Sequence, residues 1–248
     1  MDANNKRVAL VTGATGGLGT AMCKQLSQDN YRVVANYRNA EKAQKWSEEM
    51  KSEGYEVDMF LGDVCDFDSV GKMVAEIKEK VGVIDVLVNN AGITRDTAFH
   101  KMSKEQWDAV ISTNLNSIFN CCRHTIEDMR GQSYGRIINI SSVNGQRGQF
   151  GQANYSAAKA GIHGFTKTLA MEVAKKGITV NTISPGYIGT DMVMAVREDV
   201  RQKIIDQIPI GRLGGTFEVA YLVSFLASEN ASFITGANYA INGGQHVY

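Results

Sequence analysis

The chain has little proline, no excess charge of either sign and no long apolar run, and each absence narrows what it can be. Only Pro185 and Pro209 occur in 248 residues, and no low-complexity stretch or fixed-period repeat separates one part from another. A proline-rich linker is excluded, and one domain spanning residues 1–248 is expected. Lys plus Arg number 26 and Asp plus Glu number 26, so the formal net charge is zero. General nucleic-acid binders carry a basic footprint, so no nucleic-acid partner is expected. A zero balance also gives little repulsion between copies, which suits self-association. No apolar run reaches the roughly 20 residues that cross a bilayer, so no membrane partner is expected. The opening stretch MDANNKRVALVTG is polar and then enters a short apolar run, without the h-region or cleavage site of a secretory signal. A cytoplasmic location is expected. The four cysteines, Cys23, Cys65, Cys121 and Cys122, form no CxxC pair. They read as small buried hydrophobes in reducing surroundings, and no metal site is expected.

What the chain does have is alternation. Short β-rich runs at 7–12, 32–35, 57–60, 84–89, 136–140, 179–184 and 239–241 are separated by helix-length patterns. Those patterns lie near 17–28, 41–53, 68–80, 104–130, 153–175 and 216–227. Most early runs are continuously apolar, as strands are when both faces are covered. The expected architecture is one doubly wound, Rossmann-type α/β domain. It has a mostly parallel seven-stranded sheet with helices on both faces. Residues 186–215 break the rhythm and are expected to form a small substrate lid.

The first run ends in TGATGGLG, residues 12–19, and a helix follows. This is not the GxGxxG spacing, but glycine again allows a tight turn and close approach of backbone to a pyrophosphate at the positive end of a helix. The end of the second run, VVANYRNAEK, has no carboxylate before Glu41 to bind a ribose 2′-hydroxyl. Asn36, Tyr37 and Arg38 stand there instead. An arginine pairs with a 2′-phosphate, so the expected cofactor is NADPH/NADP+. Asp63 and Val64 follow the third run, where a carboxylate suits an adenine amino group. Asn89, Asn90, Ala91 and Gly92 follow the fourth, where small residues let a flat ring lie on the backbone. Ligands of such sheets bind outside the carboxyl ends of the strands.

Tyr155 and Lys159 stand at i and i+4 of a helical pattern and so share a face. An ammonium beside a phenol favours the phenolate and lowers its pKa from near 10. Ser142 ends the fifth run, where a hydroxyl can donate to a carbonyl oxygen as charge develops on it. Lys159 could also hold a nicotinamide ribose.

With these residues in place, the chain resembles the short-chain dehydrogenase/reductase family over essentially its whole length. TGATGGLG matches the family's TGxxxGxG, which makes Gly13, Thr15, Gly17, Leu18 and Gly19 expected cofactor contacts. Asp63 and the NNAG at 89–92 match too. Ser142, Tyr155 and Lys159 match the catalytic serine and YxxxK, and Asn114 the helix asparagine of a proton relay to the lysine. Pro185, Gly186, Ile188 and Thr190 cover the PGxxxT stretch that touches the nicotinamide amide. GITRD at 92–96, NGG at 242–244 and SSVNGQRGQFGQANYSAAKAGIHGFT at 141–166 resemble the branch that reduces β-keto thioesters. The resemblance implies NADPH-dependent reduction of acetoacetyl-CoA to (R)-3-hydroxybutyryl-CoA, for polyhydroxybutyrate, by a homotetramer built through 104–130 and 153–175. The alternative is 3-oxoacyl-[acyl-carrier-protein] reduction in fatty-acid synthesis. A remote one is a dinucleotide-binding module without chemistry. The expected substrate contacts are Asp96, Gln149, Phe150, Gln152 and Tyr187. Their amides suit a short polar thioester and their aromatics a small pocket, although Phe150 reads equally as a core residue.

Overall fold

The computed structural model describes residues 6–247. Seven strands form one sheet in the order β3-β2-β1-β4-β5-β6-β7. They are β1 (Val8–Val11), β2 (Arg32–Tyr37), β3 (Asp58–Leu61), β4 (Ile84–Asn89), β5 (Gly135–Ile140), β6 (Ile178–Pro185) and β7 (Asn238–Ile241). Every adjacent pair is parallel. The sheet is therefore wholly rather than mostly parallel, because each strand is followed by a helical crossover. Strand order reverses between β1 and β4, which opens a crevice at their carboxyl ends.

Strand alternation divides the core between two helical layers. Leu10, Val34, Leu87, Ile137 and Val180 face α3 (Phe67–Lys80), α5 (Ser117–Gln132) and α7 (Ala153–Val173). Ala9, Val11, Ala35, Val88 and Ile138 face α1 (Gly17–Gln28), α2 (Ala40–Ser52) and α10 (Thr216–Ala227). Burial on both faces explains the unbroken apolar runs. The edge strands β3 and β7 are the exceptions, and Leu61 of β3 and Ala240 of β7 are exposed.

Two elements and one side chain differ from expectation. The pattern at 104–130 is not one helix. α4 (Lys104–Ile111) runs into a π turn at Ser112–Asn116 before α5 begins. Within that stretch Ser117 Oγ donates to the Thr113 carbonyl at 2.6 Å, and the Asn114 side chain bonds outside the helix, so local polar groups divert the regular ladder. The loop after Ser142 contains a short helix, α6 (Val143–Arg147), capped by Ser142 through the Asn144 amide. Cys65 is half-buried, unlike the other three cysteines. In the stretch expected to be a lid, α8 (Asp191–Met194) and α9 (Glu198–Ile205) are two short helices.

Candidate active site

The glycine turn after β1 is built on contacts that no side chain allows. Gly13 has φ +62°, and a Cβ there would lie 2.8 Å from the Ala91 Cα. Asn90 fastens the same junction by donating from Nδ2 to the Thr12 and Gly13 carbonyls, at 3.0 and 3.1 Å. α1 then starts with no side-chain cap and no acidic residue in its first turn. Its positive end is uncompensated by protein, which fits a pyrophosphate. Thr15 and Gly17 stand in this turn, Leu18 reaches the cleft described below, and Gly19 is buried against it.

At the ends of β2 and β3, Arg38 Nη1 lies 3.8 Å from Asp63 Oδ2 and keeps most of its side chain exposed. Asp63 Oδ1 accepts from the Cys65 amide at 2.9 Å. Asn36 is not a free group at this tip. It is buried and donates to the Gly62 carbonyl at 2.9 Å. Val64 is also buried, and its carbonyl takes the Asn120 amide at 2.9 Å.

A cleft of about 350 Å³ opens at the carboxyl ends of β4, β5 and β6. Asn90, Gly92, Ser142, Tyr155, Lys159, Pro185, Gly186, Tyr187, Ile188 and Thr190 line it together. Ser142 is hydrogen-bonded to the Tyr155 phenol. Lys159 is 4% exposed, and its Nζ donates to the Ile140 carbonyl at 2.7 Å. Nζ sits 5.6 Å from the centre of the Tyr155 ring.

The electrostatics reverse one expectation. Burial raises the Tyr155 pKa above its ordinary value, against a smaller opposing effect of the Ser142 hydrogen bond. Burial also pulls Lys159 down to about 8. Desolvation dominates at the phenol, and the Asp96 carboxylate adds to the rise. Tyr155 stays a neutral phenol, the form that gives up a proton.

Asn114 is fully buried, and its amide bridges the main chain of Ile93, accepting at 2.7 Å and donating at 2.8 Å. A Cβ on Gly92 would lie 3.1 Å from Asn114 Oδ1 and 3.6 Å from Lys159 Nζ, so these groups meet around Gly92.

The expected substrate residues divide. Gln152 and Tyr187 line the cleft. Asp96 joins it indirectly, accepting from Gln152 Nε2 at 2.7 Å. Gln149 and Phe150 lie outside its walls, and Phe150 is 88% exposed, so it is not a core residue either.

Two residues escaped the sequence reading. Asn144 lines the cleft and is bonded to Gln152. His163 braces the site from behind. Ser141 Oγ donates to the Lys159 carbonyl at 2.8 Å, and Ser184 Oγ donates to Asn238 Oδ1 at 2.7 Å. Each serine has spent its one proton, yet both stand against His163 Nε2, at 2.9 and 3.3 Å. Nε2 must therefore carry a hydrogen and donate to them. The clamp ties α7 to the ends of β5 and β6. The spacing 155, 159, 163 was the available signal, since these residues share a helix face.

The short chain dehydrogenase family profile matches residues 7–201. The chain is 53% identical over 243 residues to an acetoacetyl-CoA reductase of Cupriavidus necator, covering 98% of this chain and 99% of the relative. It is 56% identical over 241 residues to nodulation protein G of Azospirillum brasilense, covering 97% and 98%. It is 44% identical over 240 residues to a 3-oxoacyl-[acyl-carrier-protein] reductase of Staphylococcus aureus, covering 96% and 98%. A wholly parallel doubly wound sheet with its cleft at the carboxyl edge defines the class, a dinucleotide-fold oxidoreductase. The chain belongs to the short chain dehydrogenase family.

Proposed function

We propose that this chain is a single-domain, cytoplasmic, NADPH-dependent reductase that converts acetoacetyl-CoA to (R)-3-hydroxybutyryl-CoA, as a supply for polyhydroxybutyrate. The observation that carries the chemistry is the convergence of Ser142, Tyr155 and Lys159 on one cleft. The choice of thioester rests on the acetoacetyl-CoA reductases among its relatives, and the R configuration on the family resemblance.

The residues present fit a dinucleotide. The uncapped start of α1 suits its pyrophosphate, Asp63 and Val64 its adenine, and Arg38 a 2′-phosphate. Ala91, Gly92, Pro185, Gly186, Ile188 and Thr190 would flank the nicotinamide end. When bound, the nicotinamide supplies the hydride. Ser142 and Tyr155 hold the ketone oxygen between two hydroxyls. Tyr155, kept neutral by burial, donates its proton as negative charge develops there. Lys159 presents its remaining N–H groups to the cleft and holds positive charge behind the phenol. Asn114 grips Ile93 beside Lys159 and serves the relay that returns a proton through water to the lysine.

Gln152 and Tyr187 shape the pocket for a short acyl group, with Gln149 and Phe150 at its outer lip. A homotetramer is part of the proposal. Phe119 on α5, Met171 on α7 and Phe217, Tyr221 and Phe225 on α10 are exposed apolar surface that further copies would cover.

The test is NADPH consumption with acetoacetyl-CoA and, separately, acetoacetyl-[acyl-carrier protein], each repeated with NADH. A kcat/KM highest for acetoacetyl-CoA with NADPH is expected. Preference for the carrier-protein substrate would move the enzyme to fatty-acid elongation, and cofactor binding without turnover would leave a dinucleotide-binding module.

A further inference from the structure

We propose that Asn144 is a substrate-specificity residue whose side-chain oxygen accepts a hydrogen bond from the first amide N–H of the thioester's pantetheine arm. The inference rests on the reading of the substrate as a 3-oxoacyl thioester.

The chain of hydrogen bonds starts at Asp96. A carboxylate only accepts hydrogen bonds. Gln152 must therefore turn its NH₂ toward Asp96, and Nε2 donates to Oδ2 at 2.7 Å. That leaves Gln152 Oε1 facing Asn144, which must answer with its own NH₂. Asn144 Nδ2 donates to Oε1 at 2.9 Å. The Asn144 oxygen is forced to the other side of its amide. Reversing Asn144 would set oxygen against oxygen, and reversing Gln152 would set oxygen against a carboxylate. The charge on an exposed loop residue thus fixes the direction of two amides in series.

The chain of bonds ends on an unmet demand. Asn144 is 7% exposed and lines the cleft with Ser142 and Tyr155. Its Oδ1 is buried and has no hydrogen-bond partner among the described residues. A buried acceptor left unpaired is costly, and a site that keeps one favours a ligand that supplies a donor. The ketone and thioester oxygens of the substrate are acceptors and cannot serve. The nearest donor along the molecule is the amide N–H two carbons beyond the sulfur. Asn144 is placed for it. Ser142, which holds the ketone oxygen, accepts from the Asn144 main-chain N–H at 3.1 Å, so the two residues stand side by side at the start of α6.

The experiment compares two small acetoacetyl thioesters of the same shape. One is the N-acetylcysteamine thioester, which has the N–H. The other is its ester isostere, in which oxygen replaces that N–H. Wild-type enzyme is expected to favour the amide by about tenfold in kcat/KM. Asn144→Leu should lose about that factor with the amide and almost none with the ester. Asp96→Asn lies on the exposed loop and does not threaten folding. An asparagine there also donates, so the chain is no longer forced one way and the amide preference should shrink several-fold. An amide-to-ester ratio that is the same in wild type and Asn144→Leu would overturn the contact. An unchanged ratio in Asp96→Asn would overturn the directing role of Asp96. Wild-type enzyme that reduces neither thioester would overturn the underlying assignment of substrate class instead.

Discussion

Strand β5 has a buried cation at each end. Arg136, at the amino end, is 3% exposed, and Lys159, packed at the carboxyl end, is 4% exposed. The fold treats them in opposite ways. Arg136 donates to the Gly135, Gly177 and Ser228 carbonyls, and its guanidinium lies 4.3 Å from the centre of the Tyr134 ring. Lys159 has the Ile140 carbonyl and, among the described residues, no ion pair. A cation supplied with three carbonyl acceptors and an aromatic face serves the fold. A buried cation left undersupplied is destabilised in its charged form, and its pKa falls to about 8. Unmet hydrogen-bonding capacity at the carboxyl edge, in Lys159 as in Asn144, is what separates the working end of the sheet from the merely stable one.

The sharpest test of that contrast is at the working end. Tyr155→Phe should lose turnover by about 10³-fold while NADPH binding, followed by fluorescence, stays within a few-fold. Retained turnover would remove Tyr155 as the acid. Paired variants then compare the two cations. Lys159→Met should lower kcat by about 10²-fold yet leave stability at pH 7 equal to or above wild type, because a destabilised charge is removed. Arg136→Met should do the reverse. Denaturant unfolding should show a loss of about 2–3 kcal/mol, with kcat/KM of the folded enzyme within a few-fold. If both variants lose stability equally, the contrast fails.

At the cofactor edge, Arg38→Ala should cut kcat/KM for NADPH about tenfold and leave NADH unchanged. The effect of pH is expected to be smaller near neutrality and to follow Lys159. Its folded pKa, about 8, lies below the ordinary 10.5, so between those values the folded state holds fewer protons than the unfolded state. The contribution of Lys159 to stability therefore rises with pH through that window, whereas kcat/KM for reduction should decline above about pH 8 as the ammonium is lost. A decline beginning only above pH 10 would assign that limb to Tyr155 instead. The smallest effect is expected at the brace. His163→Leu should lower kcat about fivefold with little change in KM, and His163→Gln, which restores an N–H near the Nε2 position, should recover most of it.

The strands were legible because helices cover both faces of most of them. β4 falls on the expected residues, and the other six match to within a few. The π turn was not legible. The pattern at 104–130 is continuous, and the interruption shows only in the reach of Asn114 to Ile93, 21 positions away in sequence, and in the Ser117 bond to the Thr113 carbonyl. Ser142, Tyr155 and Lys159 stood out because their residue types and spacing are those of proton transfer at a strand end. His163 and Asn144 did not. A histidine in a helix and an asparagine in a turn are ordinary until their partners are known: Ser184 of β6 for His163, and for Asn144 Gln152, itself held by Asp96 from the loop after β4.

Apolar periodicity and the residue types at strand ends determined, by themselves, the doubly wound sheet, its functional edge and the residues gathered there. These follow from local rules: period, turn chemistry and the direction of strands. Tertiary structure alone decided the charge states and hydrogen-bond directions. Whether Tyr155 is a phenol, how far Lys159 is pulled down and which way the Asn144 amide faces depend on burial and on partners distant in sequence, and a linear pattern carries neither.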